Sequence, residues 1–156
     1  TERESLTKLL NLDYFLHYVR IHDQHFINVA MDAIVIGIHG FRTLSDRCGK
    51  HYSDSLLTGI GEHIRDIEIE IGGLGCHSSE DTFFIYCTHQ EDYESILDKV
   101  CEGLEEKDPS GNKIRLRMGV YPRVDKTVQI ERRFACAEAA AESVDDDRHK
   151  AIGIFK

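Results

Sequence analysis

Apolar residues recur along the chain at two spacings, which predict helices alternating with strands. Near the N-terminus they lie three or four residues apart, as on one face of a helix, and the apolar run 33–36 that follows is typical of a buried strand. A second long helix is predicted after the segment Gly37 to Gly40, with Asp54 near its start. The apolar positions that carry these two helices are Leu6, Leu9, Leu10, Tyr14 and Tyr18, and then Leu56, Leu57, Ile60, Ile64 and Ile67.

The second half of the chain continues the alternation. Residues 71–87 are predicted to form a hairpin with a polar turn, and a helix should follow over residues 96–104. After a turn at residues 108–112 come an alternating strand, a helix and a short final strand, over 114–120, 135–141 and 151–155. The pattern predicts an α/β sandwich (α+β), in which helices flank a central mixed, mostly antiparallel sheet that contains a hairpin.

Composition narrows the class of protein. The 156 residues suffice for one domain, and a formal charge of 19 − 28 = −9 argues against a nucleic-acid partner. Five cysteines without a CxxC pair favour reduced thiols in the cytoplasm. No apolar run approaches about 20 residues, so we expect no direct membrane contact by this domain, although its parent protein could be anchored in the inner membrane. The abrupt ends suggest that residues 1–156 form one domain of a longer signalling protein.

The polar turn, residues 78–82, carries the main candidate chemistry. Its neighbouring carboxylates, Glu80 and Asp81, can offer oxygen ligands to Mg²⁺, although they could equally be solvated turn residues. Cysteine and histidine at positions 76, 77, 87 and 89 raise the alternative of zinc, but their spacing matches no common structural zinc pattern.

Several motifs in order resemble those of the GGDEF domain family, whose signature falls on Ser78-Ser79-Glu80-Asp81-Thr82. The family's entry pattern, Asp-x-Leu-Thr-Gly-Leu-x-Asn-Arg-Arg, is matched at Leu6, Thr7, Leu9 and Asn11. The frame from residue 37 to 54 has no gap and keeps Phe41, Asp46, Gly49 and Asp54. Residues 117–120 are similar to the family's Ser-Ile-Gly-Val strand, and residues 148–155 to its final strand.

The resemblance implies an altered metal site. The family condenses two GTP molecules into cyclic di-GMP at a dimer interface, with metal ions neutralising phosphate charge. Gly37 stands where the family has a metal-ligating Asp, and Ser78 and Ser79 replace two glycines, so we expect them to crowd a nucleotide. Glu80 and Asp81 keep the two acidic positions, which leaves a weak metal site conceivable.

The resemblance also assigns vestigial nucleotide contacts. Arg42 and Arg148 match positions that face phosphates, and Asp54 matches the position that contacts guanine, where Ser45 replaces an Asn. The phosphate-binding lysine is missing, since residues 142–147 are mostly acidic. The product-inhibition motif has Ile and Gly at positions 69 and 72 instead of Arg and Asp, so feedback inhibition there is not expected.

These losses lead to one main hypothesis and two alternatives. The first is a catalytically inactive GGDEF domain that acts as a regulatory or dimerisation module, attached to an EAL-type phosphodiesterase or a sensor domain. The second is a sensor that binds GTP without turnover, and the third is an active cyclase with a divergent site. No cofactor is required under the first hypothesis, and Mg²⁺ is expected only with a bound nucleotide. Other domains of the same protein, or a second copy of the chain, are the expected partners.

Overall fold

Five helices and five strands make up the computed structural model, which describes residues 1–156. In chain order they are α1 (Leu12–His25), β1 (Met31–Ile38), α2 (Phe41–Cys48), α3 (Lys50–Ile71), β2 (Leu74–Ser79), β3 (Thr82–Thr88), α4 (Tyr93–Val100), β4 (Leu116–Tyr121), α5 (Ile130–Glu142) and β5 (Lys150–Ile154). No helix has both the length and the apolar content needed to cross a bilayer.

The strands form a single sheet in the order β2-β3-β1-β4-β5, with β1 at its centre. All neighbours are antiparallel except β4 and β5, which are parallel. This arrangement confirms the predicted mixed, mostly antiparallel sheet and its hairpin.

Helices cover both faces of the sheet, as the alternation along β1 requires. Ile34, Ile36 and Ile38 belong to the larger buried cluster, which α2, α3 and α4 complete. Ala33 and Val35 point to the opposite face and pack with buried residues of α1 and α5. The chain is therefore a three-layer sandwich.

Helix α5 lies in direct contact with the sheet because glycines face it. A Cβ atom on Gly119 of β4 would lie 1.8 Å from the carbonyl oxygen of Ala137, and one on Gly153 of β5 would lie 2.0 Å from that of Ala140. Neither position can carry a side chain without moving the helix. The C-terminal half of α5 is thereby fixed against β4 and β5.

The first helix begins later than predicted. Its first residue is Leu12, and the Asn11 side chain caps it by accepting a hydrogen bond from the Tyr14 amide at 3.1 Å. The preceding residues form a turn in which Lys8 has a left-handed backbone (φ 65°), where the family pattern has glycine. Leu9 and Leu10 are nevertheless buried, so the apolar spacing in this segment reflects burial of the side chains and not a helix.

The segment after β1 also differs from the prediction. Gly40, with a φ of 66°, leads into α2, a short helix that the sequence pattern did not predict. Gly49 then separates α2 from α3, which begins at Lys50, one turn before Asp54. Helix α4 ends at Val100, short of the predicted Leu104.

Candidate functional site

The C-terminal end of β1 meets the tip of the β2–β3 hairpin and the start of β4. Gly37 lies opposite Thr82 on β3 and opposite Arg117 on β4. Beyond it, the Ile38 amide donates to the Asp81 carbonyl at 3.0 Å, and the next amide, that of residue 39, donates to the carbonyl of residue 115 at 2.8 Å. The predicted signature turn and the predicted metal position are thus adjacent in the fold.

The signature turn is held by its own side chains. The Ser78 hydroxyl donates to the Thr82 carbonyl at 3.1 Å, while the Thr82 hydroxyl donates to the Asp81 carboxylate at 2.8 Å. The Ser79 hydroxyl makes a longer bond to the same carboxylate, at 3.4 Å. Neither serine has a positive φ, so the turn forms without the backbone freedom of glycine. Whether the serines crowd a nucleotide stays a prediction.

Gly37 borders open space. A Cβ atom built on it meets no atom within 4 Å, and its φ lies outside the left-handed region. It faces a cavity of about 460 Å³ that Thr82, Arg117 and the end of α5 also line. Packing therefore does not require glycine at this position, in contrast to Gly119 on the neighbouring strand.

Arg117 is the site residue that sequence analysis did not identify. It is only 7% exposed, and its guanidinium donates to the carbonyls of Leu116, Arg148 and Asp146, the first two at 3.0 and 2.9 Å. Burial lowers the pKa of the guanidinium, and Arg115 and Arg148 add to that effect, whereas Asp146 opposes it. An arginine nevertheless stays protonated in proteins, so a positive charge is fixed at the cavity that Gly37 borders.

The wall of the cavity on the α5 side is acidic. Glu138 and Glu142 of the helix, and Asp145 beyond it, line the cavity together with Asp81. Burial raises the pKa of Glu138, and repulsion from Glu142 and Asp81 raises it further. The family's phosphate-binding lysine has no counterpart among these residues.

The residues present do not fit the divalent cation that the family uses. Residue 37 offers no side-chain oxygen ligand, its cross-strand partner is the cation Arg117, and no three His, Cys, Asp or Glu residues are grouped so as to hold a metal ion. The two signature carboxylates also have different partners, since Glu80 reaches Arg42 at 3.5 Å while Asp81 bonds Thr82. The weak metal site predicted at Glu80 and Asp81 stays a prediction, with two ligands at most.

The predicted nucleotide contacts are paired with protein groups. Arg42 pairs with Glu80, and both side chains are largely exposed. The Ser45 hydroxyl lies 3.1 Å from that of Ser53, and Asp54 accepts from the Lys50 ammonium at 2.5 Å. Each of these groups must leave its partner, or share it, to contact a ligand.

Arg148 lies apart from the other predicted contacts. Its guanidinium bonds the Asp146 carboxylate at 2.8 and 3.0 Å and borders a small cavity with Leu97 and Lys150, between α4 and β5. Only its backbone joins the site, through the carbonyl that accepts from Arg117.

A second, basic cavity adjoins the first. It measures about 590 Å³ and is lined by His39, Arg47, Lys113 and Arg115, among others. Burial lowers the pKa of His39, and Arg115 and Arg117 lower it further, which favours the neutral ring. The alternation of Arg115 and Arg117 with apolar residues was the available signal in the sequence, but it could not show which arginine pairs with residue 37.

Comparison with known proteins is consistent with this geometry. A family model described as "Diguanylate cyclase, GGDEF domain" matches residues 1–150. A search of curated protein sequences gives no match.

Solved structures share the fold at low sequence identity. The FimX GGDEF domain of Pseudomonas aeruginosa is 16% identical, with a TM-score of 0.72 over 97% of this chain and 99% of that one. The DgcB GGDEF domain of Caulobacter crescentus, in complex with c-di-GMP, is 14% identical, with a TM-score of 0.75 over 99% and 96%. The active GGEEF domain of a Vibrio cholerae diguanylate cyclase is 15% identical, with a TM-score of 0.71 over 99% and 97%.

Proposed function

The chain belongs to the GGDEF domain family, and from that premise we propose that it is a catalytically inactive member, a regulatory or dimerisation module in cyclic di-GMP signalling. We further propose that residues 1–156 form one domain of a longer protein that carries an EAL-type phosphodiesterase or a sensor domain and acts in the cytoplasm. One observation carries the first proposal: Gly37 supplies no carboxylate, and its direct partner on β4 is Arg117, a buried cation that lines the same cavity.

The chemistry explains why this pair matters. Phosphoryl transfer between nucleotides depends on metal ions that neutralise charge on the phosphates and on the attacking oxygen. The site lacks one carboxylate, and Glu142 and Asp145 border the same cavity, where they repel a triphosphate. Loss of a metal ligand removes several kcal/mol of transition-state stabilisation.

The direct test is an assay of turnover. The chain is incubated with GTP and Mg²⁺ or Mn²⁺, and cyclic di-GMP is measured by chromatography, with the active Vibrio cholerae GGEEF domain as the positive control. We expect no product from this chain under conditions in which the control converts its GTP. Sustained product formation would show instead an active cyclase with a divergent site.

A second candidate function is binding of GTP without turnover. Asp54 keeps the residue of a family nucleotide contact and Arg42 is a conservative replacement of a lysine, and their side chains pair only with Lys50 and Glu80. Thermal unfolding with millimolar GTP, with and without Mg²⁺, tests this function, and Asp54→Ala serves as the matched variant. A bound ligand must raise the midpoint of unfolding, so an unchanged midpoint in the natural chain excludes the sensor.

A further inference from the structure

We propose that Arg117 is a built-in cation that keeps a divalent metal ion away from the end of β1. The inference rests on the proposed function and offers a physical reason for it. Two residues would then prevent metal binding: Gly37, which lacks a carboxylate, and Arg117, which adds a positive charge.

The register of the sheet places the two positions side by side. Gly37 and Arg117 are direct partners in the antiparallel pair of β1 and β4, and side chains at such positions have Cβ atoms about 4.5–5.5 Å apart. Both positions face the α5 side of the sheet, where they line the same cavity. A carboxylate restored at position 37 would therefore share this cavity with the side chain of Arg117.

The charge of Arg117 is held in place and only partly neutralised. Three of its acceptors are backbone carbonyls, which carry no formal charge. The nearest carboxylate is that of Asp146, 3.8 Å away, and it also pairs with Arg148 at 2.8 Å. A side chain that is 8% exposed and bonded on several sides cannot easily swing out of the way of an arriving ion.

This arrangement predicts a particular response to repair. With Gly37→Asp alone, the new carboxylate should pair with Arg117 and leave the site without a metal. When Arg117 is also neutralised, the carboxylate becomes free to act with Asp81, which faces the same cavity. Arg117→Ser is the natural choice, because the family pattern has serine at this position.

The test measures Mn²⁺ binding without nucleotide, from the electron paramagnetic resonance signal of free Mn²⁺. We expect the variant with both Gly37→Asp and Arg117→Ser to bind Mn²⁺ at least about tenfold more tightly than Gly37→Asp alone, a gain of about 1.4 kcal/mol. Gly37→Asp with Arg117→Lys keeps the charge and should resemble the single variant. Gly37→Asp with Arg115→Ser is the matched control, since it removes a charge two residues away, just before β4, that lines the second cavity and not the first, and it should change affinity far less.

The alternative is that Arg117 only anchors the 146–148 segment through its carbonyl bonds. Thermal unfolding of every variant identifies any loss of structure, and Arg117→Gln replaces Arg117→Ser if the latter fails to fold. Equal Mn²⁺ affinity in the single and double variants would overturn the proposal, and so would absence of binding in both. Either result leaves the proposed function standing, which only cyclic di-GMP formation by the natural chain would remove.

Discussion

The two ends of strand β1 differ in the side chain they carry and in how tightly it is packed. At its start, the Asp32 carboxylate is fully buried and accepts four hydrogen bonds: from the His89 ring at 2.8 Å, the Tyr93 hydroxyl at 2.6 Å, and the amides of residues 90 and 123 at 2.9 Å each. At its end, Gly37 has no side chain and borders a cavity. A buried carboxylate with every acceptor used stabilises the fold, whereas packing places no demand on the side chain at position 37.

The largest change in the free energy of unfolding is expected from substitution of Asp32. Asp32→Ala leaves four donors without their acceptor and should reduce the free energy of unfolding by about 4 kcal/mol, since each orphaned buried group costs about 1–3 kcal/mol. Gly37→Ala should leave stability unchanged or raise it by about 0.5 kcal/mol, because glycine inside a strand is costly and the new methyl group meets open space.

Urea denaturation of the two variants at pH 7 provides the measurement. The comparison fails if Gly37→Ala costs as much as Asp32→Ala, which would mean that the end of β1 is packed by contacts that the cavity does not suggest. Gly119→Ala is a useful further reference, because the same added methyl group would there collide with the backbone of α5.

A second buried carboxylate, Asp108, tests whether the stabilising effect expected of Asp32 comes from its burial and hydrogen bonds or from its place on β1. Asp108 lies in the loop before β4 and accepts from Arg47 of α2 at 2.7 Å and from the amides of Ser110 and Asn112. Burial on its own would raise the pKa of Asp108, but the bonds from Ser110, Arg47 and Asn112 outweigh it and hold the pKa well below its usual range. The carboxylate should therefore stabilise the fold only while it is ionised.

The sign of the pH dependence follows from that shift. Because the pKa of Asp108 is lower in the folded than in the unfolded chain, its contribution is fully present above about pH 4 and is lost as the pH falls through the folded value. Asp108→Asn should cost about 2 kcal/mol at pH 7, and the difference from the natural chain should narrow steadily below pH 4. Asp147→Asn, at a carboxylate that is 93% exposed, is the control and should have almost no effect at either pH. A gap that is independent of pH would contradict the assignment.

The sequence predicted the strands and the sheet better than the bounds of the helices. Apolar and polar residues alternate over whole strands, and this repetition revealed the hairpin and the sheet. Helix α2 was missed because only Phe41 and Leu44 are buried in it and no side chain caps its start at Gly40. The start of α1 was misplaced because a left-handed Lys8 breaks an otherwise helical spacing.

The site was predictable in part. Family motifs identified Gly37 and the signature turn as candidate positions, and the fold brings them together. They could not identify Arg117, because its importance comes from the register between β1 and β4 and from carbonyls 29 and 31 residues away in the chain. Long-range pairing of this kind leaves no spacing in the sequence.

The smallest expected effect concerns the ion pair that joins α2 to the hairpin tip. Arg42 and Glu80 are 3.5 Å apart, with 83% and 57% of their side chains exposed, so water and salt screen their attraction. A double-mutant cycle with Arg42→Ala and Glu80→Ala should give a coupling energy below about 0.5 kcal/mol, and 0.5 M NaCl should abolish it. The buried pair Asp23 and Arg133, at 2.6 Å, is the matched reference and should couple several times more strongly. If Arg42 and Glu80 couple as strongly as that buried pair, the hairpin tip is fastened to α2, and the contrast between the two ends of β1 no longer holds.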